Sequence, residues 1–108
     1  MATSLDLDLV RGAIRARRLE WQRHVLERLV ERGIRRSEVL QVILGGELIE
    51  GYPDAKPFPS ALFLGWSGER PLHAVVAYDS SNDQVYIITA YEPDLEHFEP
   101  DFRTRRKR

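Results

Sequence analysis

The sequence predicts an α+β domain in which N-terminal helices pack on one face of a four-stranded antiparallel sheet. Apolar residues recur at helical spacing up to Leu44 and at strand spacing after Gly46. The strand-like runs are short and bounded by turn residues. Their connections are also short, whereas a parallel crossover needs a dozen or more residues, so the strands form a meander. Helices first and strands afterwards segregate into two layers.

Residues 5–18 form a weak helix, with Leu5, Leu9 and Ala13 on one side and Arg11, Arg15, Arg17 and Arg18 elsewhere. Gly12 weakens it by about 1 kcal/mol relative to Ala. From Leu19 to Arg32 the pattern strengthens: Trp21, Val25 and Leu29 repeat every fourth residue, and Leu26 and Val30 widen the stripe. Gly33 stops this helix. Ser37 caps a second one over 38–44, where Glu38 favours the helix N-terminus and Gly45-Gly46 ends it.

The strands are Glu47–Tyr52, Ala61–Trp66, Leu72–Tyr78 and Val85–Tyr91. Three prolines between residues 53 and 59 make that stretch a loop. Ser67–Arg70 and Asp79–Asp83 are turns. Trp21, Val25, Leu29, Val39, Ile43, Leu64, Val76 and Ile87 are the expected core. Tyr91-Glu92-Pro93-Asp94-Leu95 and Phe98-Glu99-Pro100-Asp101-Phe102 repeat one form seven residues apart. They read as two turns that hold the chain end against the sheet edge by their aromatic residues.

At 108 residues the chain is one domain, with 1–18 as a weakly helical N-terminal extension and 103–108 as a basic tail. It has no Cys, hence no disulfide, thiolate nucleophile or cysteine metal site. Met1-Ala2-Thr3-Ser4 leads into alternating Leu and Asp, with no apolar signal region. No apolar run approaches the roughly 20 residues of a membrane helix. The expectation is a cytoplasmic protein without a membrane partner.

No cofactor or metal is indicated. Gly45-Gly46 follows a helix and does not open one, so it is not a phosphate loop. His24, His73 and His97 are scattered, and His97 sits in a solvated acidic turn. No Ser lies in a nucleophile-elbow context.

Charge is segregated along the chain. Residues 1–36 balance at +4, residues 37–101 at −10 and residues 102–108 at +5. That segregation favours a polyanion- or partner-binding surface more than the net charge of −1 suggests. The aromatic turns lead to the expectation that the chain stays ordered through Arg103 and runs back beside the sheet. Arg103, Arg105 or Arg106 would then approach a surface bearing Arg28 and Tyr91 as phosphate-binding groups.

His24 and Arg28, four apart, share a helix face away from the apolar stripe. The pair suits phosphate chemistry, since an imidazole moves a proton near pH 7 and a guanidinium forks onto phosphate oxygens. An ordinary polar helix face has the same composition. His73 is the polar residue of an apolar strand: a satisfied buried histidine, or the second member of an acid/base pair with His24 if the helix lies over that face. Thr89 and Tyr91 share a strand face, where Tyr91 is either a phosphate- or base-contacting group or a packed ring with a wet hydroxyl. Glu50 and Tyr52 share another, where Glu50 is either a base or, the favoured reading, a solvent-facing residue of an edge strand.

Several segments together resemble a known family. They are His24-x3-Arg28-x3-Arg32-Gly33-Ile34, Gly46-Glu47-Leu48-Ile49-Glu50-x-Tyr52-Pro53, Leu72-His73-Ala74-Val75-Val76, Ile88-Thr89-Ala90-Tyr91-Glu92-Pro93-Asp94 and Arg105-Arg106-Lys107. From Trp21 to Lys107 the chain resembles the DUF4258 family of small bacterial and archaeal proteins. The resemblance implies a layout similar to the RelE and BrnT toxins, metal-independent ribonucleases of toxin–antitoxin systems. It also implies RNA as substrate and a small zinc-finger antitoxin of the YgiT type as partner. In that reading His24, Arg28, His73 and Tyr91 are catalytic, and Arg103, Arg105 and Arg106 bind phosphate. The chain lacks the Lys-rich surface of ribosome-dependent toxins, which argues against cleavage on the ribosome. The alternative is a non-catalytic module that pairs with a small partner protein; the oligomeric state is left open.

Overall fold

Residues 5–107 are described by a computed structural model; residues 1–4 of the expected N-terminal extension and Arg108 of the tail lie outside the described residues. The fold is α+β, with three helices and one five-stranded mixed sheet. The first helix, α1 (Leu7–Arg15), starts where the Asp6 carboxylate accepts the backbone N–H groups of Asp8 and Leu9. It buries Val10, Ala13 and Ile14, while Leu9 is half exposed, so its inner face is rotated from the expected one. Arg11 reaches from α1 to the carbonyls of Ile43 and Gly46 and ties the helix to the next layer.

Leu19–Trp21, expected in the main helix, is instead a strand, β1. Arg17 before it holds the left-handed conformation (φ 63°), which stops helical continuation. Leu19 and Trp21 also alternate around exposed Glu20, so the same apolar residues satisfy a period of two. The helix α2 (Arg23–Arg32) follows and ends at Gly33 in the left-handed region. Trp21 is consequently only partly buried, packed at the margin of the core in which it was expected.

The third helix, α3 (Arg36–Gly45), begins before Ser37. Its cap is made by Glu38, whose carboxylate accepts the Arg35 N–H at 2.8 Å and the Ser67 hydroxyl at 2.6 Å. Those two hydrogen bonds outweigh burial and lower the Glu38 pKa.

Strands β2 (Glu47–Tyr52), β3 (Ser60–Ser67), β4 (Arg70–Asp79) and β5 (Gln84–Tyr91) form the expected antiparallel meander. The sheet order is β1-β5-β4-β3-β2, and β1 pairs with β5 in parallel. The expected four-stranded antiparallel sheet is thus corrected to a five-stranded mixed one. The parallel pair is allowed because α2, α3 and three strands intervene between its members.

The two sheet faces are covered differently. Ala61, Phe63, Leu72, Ala74, Val76, Val85, Ile87 and Ala90 join the helices in one buried cluster. Gly65 lets α3 approach β3: a Cβ there would lie 2.9 Å from the Val42 Cα. The opposite face holds buried Leu62, Leu64 and His73 and is closed by residues 92–107. Leu64 is therefore buried as expected, but away from the helices.

The repeated turns are structurally equivalent. Asp94 accepts the N–H groups of Glu96 and His97, and Asp101 those of Arg103 and Thr104. Between them the chain folds back on itself, with Glu99 N–H donating to the Thr104 carbonyl and Arg106 N–H to that of His97. This strap lies across the sheet face, where the sequence suggested the sheet edge. Phe98 is buried, and Phe102 meets Trp66 edge-on.

Candidate functional site

Cross-strand partners share a face, so register builds the site beneath the strap. One row runs Glu47, Leu64, His73, Tyr91, and the next runs Glu50, Leu62, Val75, Thr89. Glu47 and Glu50 differ in parity and would ordinarily face opposite ways. A register shift between Leu48 and Glu50 restores them to one face, as a bulge does when it re-aims a side chain. A second shift, between Val75 and Val76 on the ladder to β5, sets Ala90 and Ile87 on the helix-covered side despite their opposite parity, while Thr89 and Tyr91, two apart, stay together on the other.

His73 is fully buried at the centre. Its Nε2 lies 2.7 Å from the Phe102 carbonyl oxygen, which can only accept, so Nε2 carries the proton. Nδ1 is left to face the Tyr91 hydroxyl, 3.4 Å away. The Phe98 ring stands edge-on to the imidazole at 4.6 Å. Burial pushes the His73 pKa down, assisted by the Arg105 charge and opposed by the Phe102 hydrogen bond and by Glu50. Burial likewise raises the Tyr91 pKa, which keeps the phenol protonated.

Arg105 links the strap to the sheet. Its Nε donates to Glu50 Oε2 at 2.7 Å, and its guanidinium lies 4.9 Å from the Phe98 ring centroid. Tyr52 donates to the other Glu50 oxygen at 2.5 Å. Burial raises the Glu50 pKa, but the bonds from Arg105 and Tyr52 and the Arg105 charge prevail and lower it. Arg103 makes a two-pronged pair with Glu47, at 2.6 and 3.1 Å. Arg106 reaches Glu99 and the Leu95 carbonyl. A cleft of about 460 Å³ opens beside Arg103 and Glu47, walled by Gln41, Gly46 and half-exposed Trp66.

The structure thus gathers His73, Tyr91 and Arg105 on one face, with Arg103 and Arg106 on the same strap. It does not bring His24 or Arg28 there. Both are exposed on α2, which packs on the other face of the sheet, and Arg28 pairs with Glu31 at 3.1 Å. The expected pairing of His24 with His73 is corrected: residues 72 and 74 point toward the helices, so His73 points away. The strap is described through Lys107, and Arg105 nears Tyr91, but Arg28 has no part in that surface.

Glu50 and Tyr52 complete the cluster, whereas the sequence favours a solvent-facing edge position for Glu50 over a role as a base. Their shared strand face was visible; the strap that covers it was not. Elsewhere, Asp94, Glu96 and His97 each offer a ligand atom within 4.8 Å of the others, all exposed. Acidic turns commonly have this composition. Among the described residues no helix is long and apolar enough to cross a membrane.

No match was found among curated proteins or among solved structures. A family model, Domain of unknown function (DUF4258), matches residues 21–92 and so takes in β2 to β5, α2 and α3, but of β1 only Trp21, and neither α1 nor the strap beyond Glu92. Two thirds of the sequence, including Glu50, Tyr52, His73 and Tyr91, falls within that match, and the chain belongs to the DUF4258 family.

Proposed function

We propose that the strap-covered face is an RNA-cleaving site that needs no metal, and that the chain is a toxin-type ribonuclease related in layout to RelE and BrnT. One observation carries the reading: a carboxylate, a guanidinium, a phenol and an imidazole converge on one sheet face. Transfer of a phosphodiester to its own 2′-oxygen needs a base, an acid and a cation. Glu50 takes the 2′-hydroxyl proton as the oxygen attacks phosphorus. Arg105 turns from Glu50 to the phosphorane oxygens. Tyr91 protonates the departing 5′-oxygen, its hydroxyl oriented by His73. The products are a 2′,3′-cyclic phosphate and a 5′-hydroxyl, and Tyr91 regains its proton from protonated Glu50 through solvent. Trp66, beside Arg103, offers a face on which a base stacks. A small zinc-finger antitoxin would hold such a protein in check.

Incubation with single-stranded RNA in the presence of a chelator tests the reading. Cyclic-phosphate ends should form, and Glu50→Gln and Tyr91→Phe should each slow their formation by about 10²–10⁴-fold. RNA left intact, or cleaved at an undiminished rate by both variants, overturns it.

A non-catalytic binding module is favoured by a different observation. Arg103, Arg105 and Arg106 already pair with Glu47, Glu50 and Glu99, so the tail's charge is largely spent within the chain. RNA binding without cleavage, or neither, would point there.

A further inference from the structure

A second surface lies on the helical side of the molecule. Between the end of α2 and the start of α3 is an apolar groove of about 700 Å³. Leu26, Leu29, Val30 and Ile34 form its floor, and Arg35, Arg36 and Ser37 its lip, with no carboxylate among them. Val30 is 81% exposed, the most exposed large apolar residue among those described. Three acids adjoin these residues in sequence: exposed Glu27, Glu31, which pairs with Arg28 at 3.1 Å, and Glu38, which is turned inward to Ser67 and the Arg35 backbone, 3.7 Å from the Arg35 side chain. Arg35 and Arg36 otherwise point to solvent.

The chain also presents the complementary feature. In the first aromatic turn Leu95 is 51% exposed, with Glu92, Asp94 and Glu96 exposed around it. Glu92 pairs with Arg70 and Asp94 with His97, and Arg106 holds the Leu95 carbonyl. Glu96 has no hydrogen bond or ion pair from its side chain among the described residues.

The two features are neighbours. Arg70 donates to the Glu92 carboxylate and also to the carbonyls of Arg32 and Gly33, the residues that lead into the groove. A basic apolar hollow beside an acidic apolar knob is self-complementary about a two-fold axis, which is the requirement for an isologous pair. We propose that the groove accepts the Leu95 turn of a second copy of this chain. Leu95 fills the space over Leu26 and Val30, and Glu96 meets Arg36. Each contact is small, so the pair forms reversibly and depends on both contacts. Glu96 and Arg36 are exposed, which makes the pairing salt-sensitive.

Sedimentation of the full chain tests this, with circular dichroism to verify folding. At about 100 μM and low salt the wild type should sediment as twice its 12.5 kDa mass. Arg36→Glu and Glu96→Arg should each weaken association at least about tenfold. Mixing those two variants should restore a heterodimer, because the intact groove of one receives the intact turn of the other. The double variant carrying both reversals should also self-associate. Leu95→Asp should be monomeric and should not be rescued by mixing with Glu96→Arg. A wild type that stays monomeric, or a dimer that survives both single reversals, overturns the proposal. These outcomes are independent of RNA cleavage.

Discussion

Arg105 and Glu50, 55 residues apart in sequence, meet at 2.7 Å across the face of the sheet. Their contact, with that of Arg103 and Glu47, pairs the +5 tail with the −10 middle of the same chain. Charge segregation in the sequence is thus partly an intramolecular fastening. The Arg105 side chain is 53% exposed and that of Glu50 23%. A double-mutant cycle on Arg105→Gln and Glu50→Gln should give a coupling of about 0.5–1 kcal/mol, shrinking with salt. Absence of coupling would mean that the strap is held without this pair, by its other contacts with the sheet.

Apolar anchoring should matter more than the ion pairs. Phe98→Ala removes a buried ring that covers His73. It should cost about 3–5 kcal/mol in denaturant unfolding. The same variant should make His73 accessible to imidazole-modifying reagents, and persistent protection would show that the strap is not its cover.

Acid should destabilise the fold through His73. Its folded pKa lies below the ordinary 6.5, so the unfolded chain binds the proton more readily. Stability therefore falls as pH drops below 6.5 and levels off once the folded pKa has been passed. His73→Gln should flatten this part of the stability–pH curve, measured by chemical denaturation at closely spaced pH. A slope that is unchanged would place the titration elsewhere.

The second aromatic turn supplies a contribution at lower pH. Three hydrogen bonds, from Thr104 N–H, Arg103 N–H and the Thr104 hydroxyl, depress the Asp101 pKa from 3.8 to about 2. A depressed carboxylate stabilises fully above its unfolded pKa and loses that contribution as pH falls through the folded value. The Tm difference between wild type and Asp101→Asn should therefore be largest above pH 4 and shrink towards pH 2. A difference that does not vary with pH would contradict the role given to the carboxylate.

Three glycines should respond in opposite ways to alanine. A Cβ on Gly46 would strike the carbonyl oxygens of Val42 and Leu64, and one on Gly65 the Val42 backbone. Each substitution should cost about 1–3 kcal/mol, Gly46→Ala the more. Gly12 in α1 has nothing within 4 Å of the added carbon. Gly12→Ala should gain about 0.5–1 kcal/mol, and thermal denaturation would show the contrast.

The sequence by itself determined the meander, because period-two apolar runs and short turns act locally. Glu47–Tyr52 is a strand within the bounds read from the sequence, and Gly33 ends its helix as expected. The equivalence of Asp94 and Asp101 was likewise visible as a repeat, since each side chain serves backbone two and three residues ahead.

Only the tertiary structure decided the rest. Leu19 and Trp21 fit either period, and pairing with Val85–Ile87 made them a strand. Which face His73 took depended on where the helices packed, and that settled its separation from His24. The placement of Glu50 beside Glu47 needed a bulge that no residue in β2 announces. Arg103 and Arg105 found their partners because Phe98 and Phe102 fold the strap onto apolar sheet surface. Non-local burial makes that choice, and no window of sequence contains it.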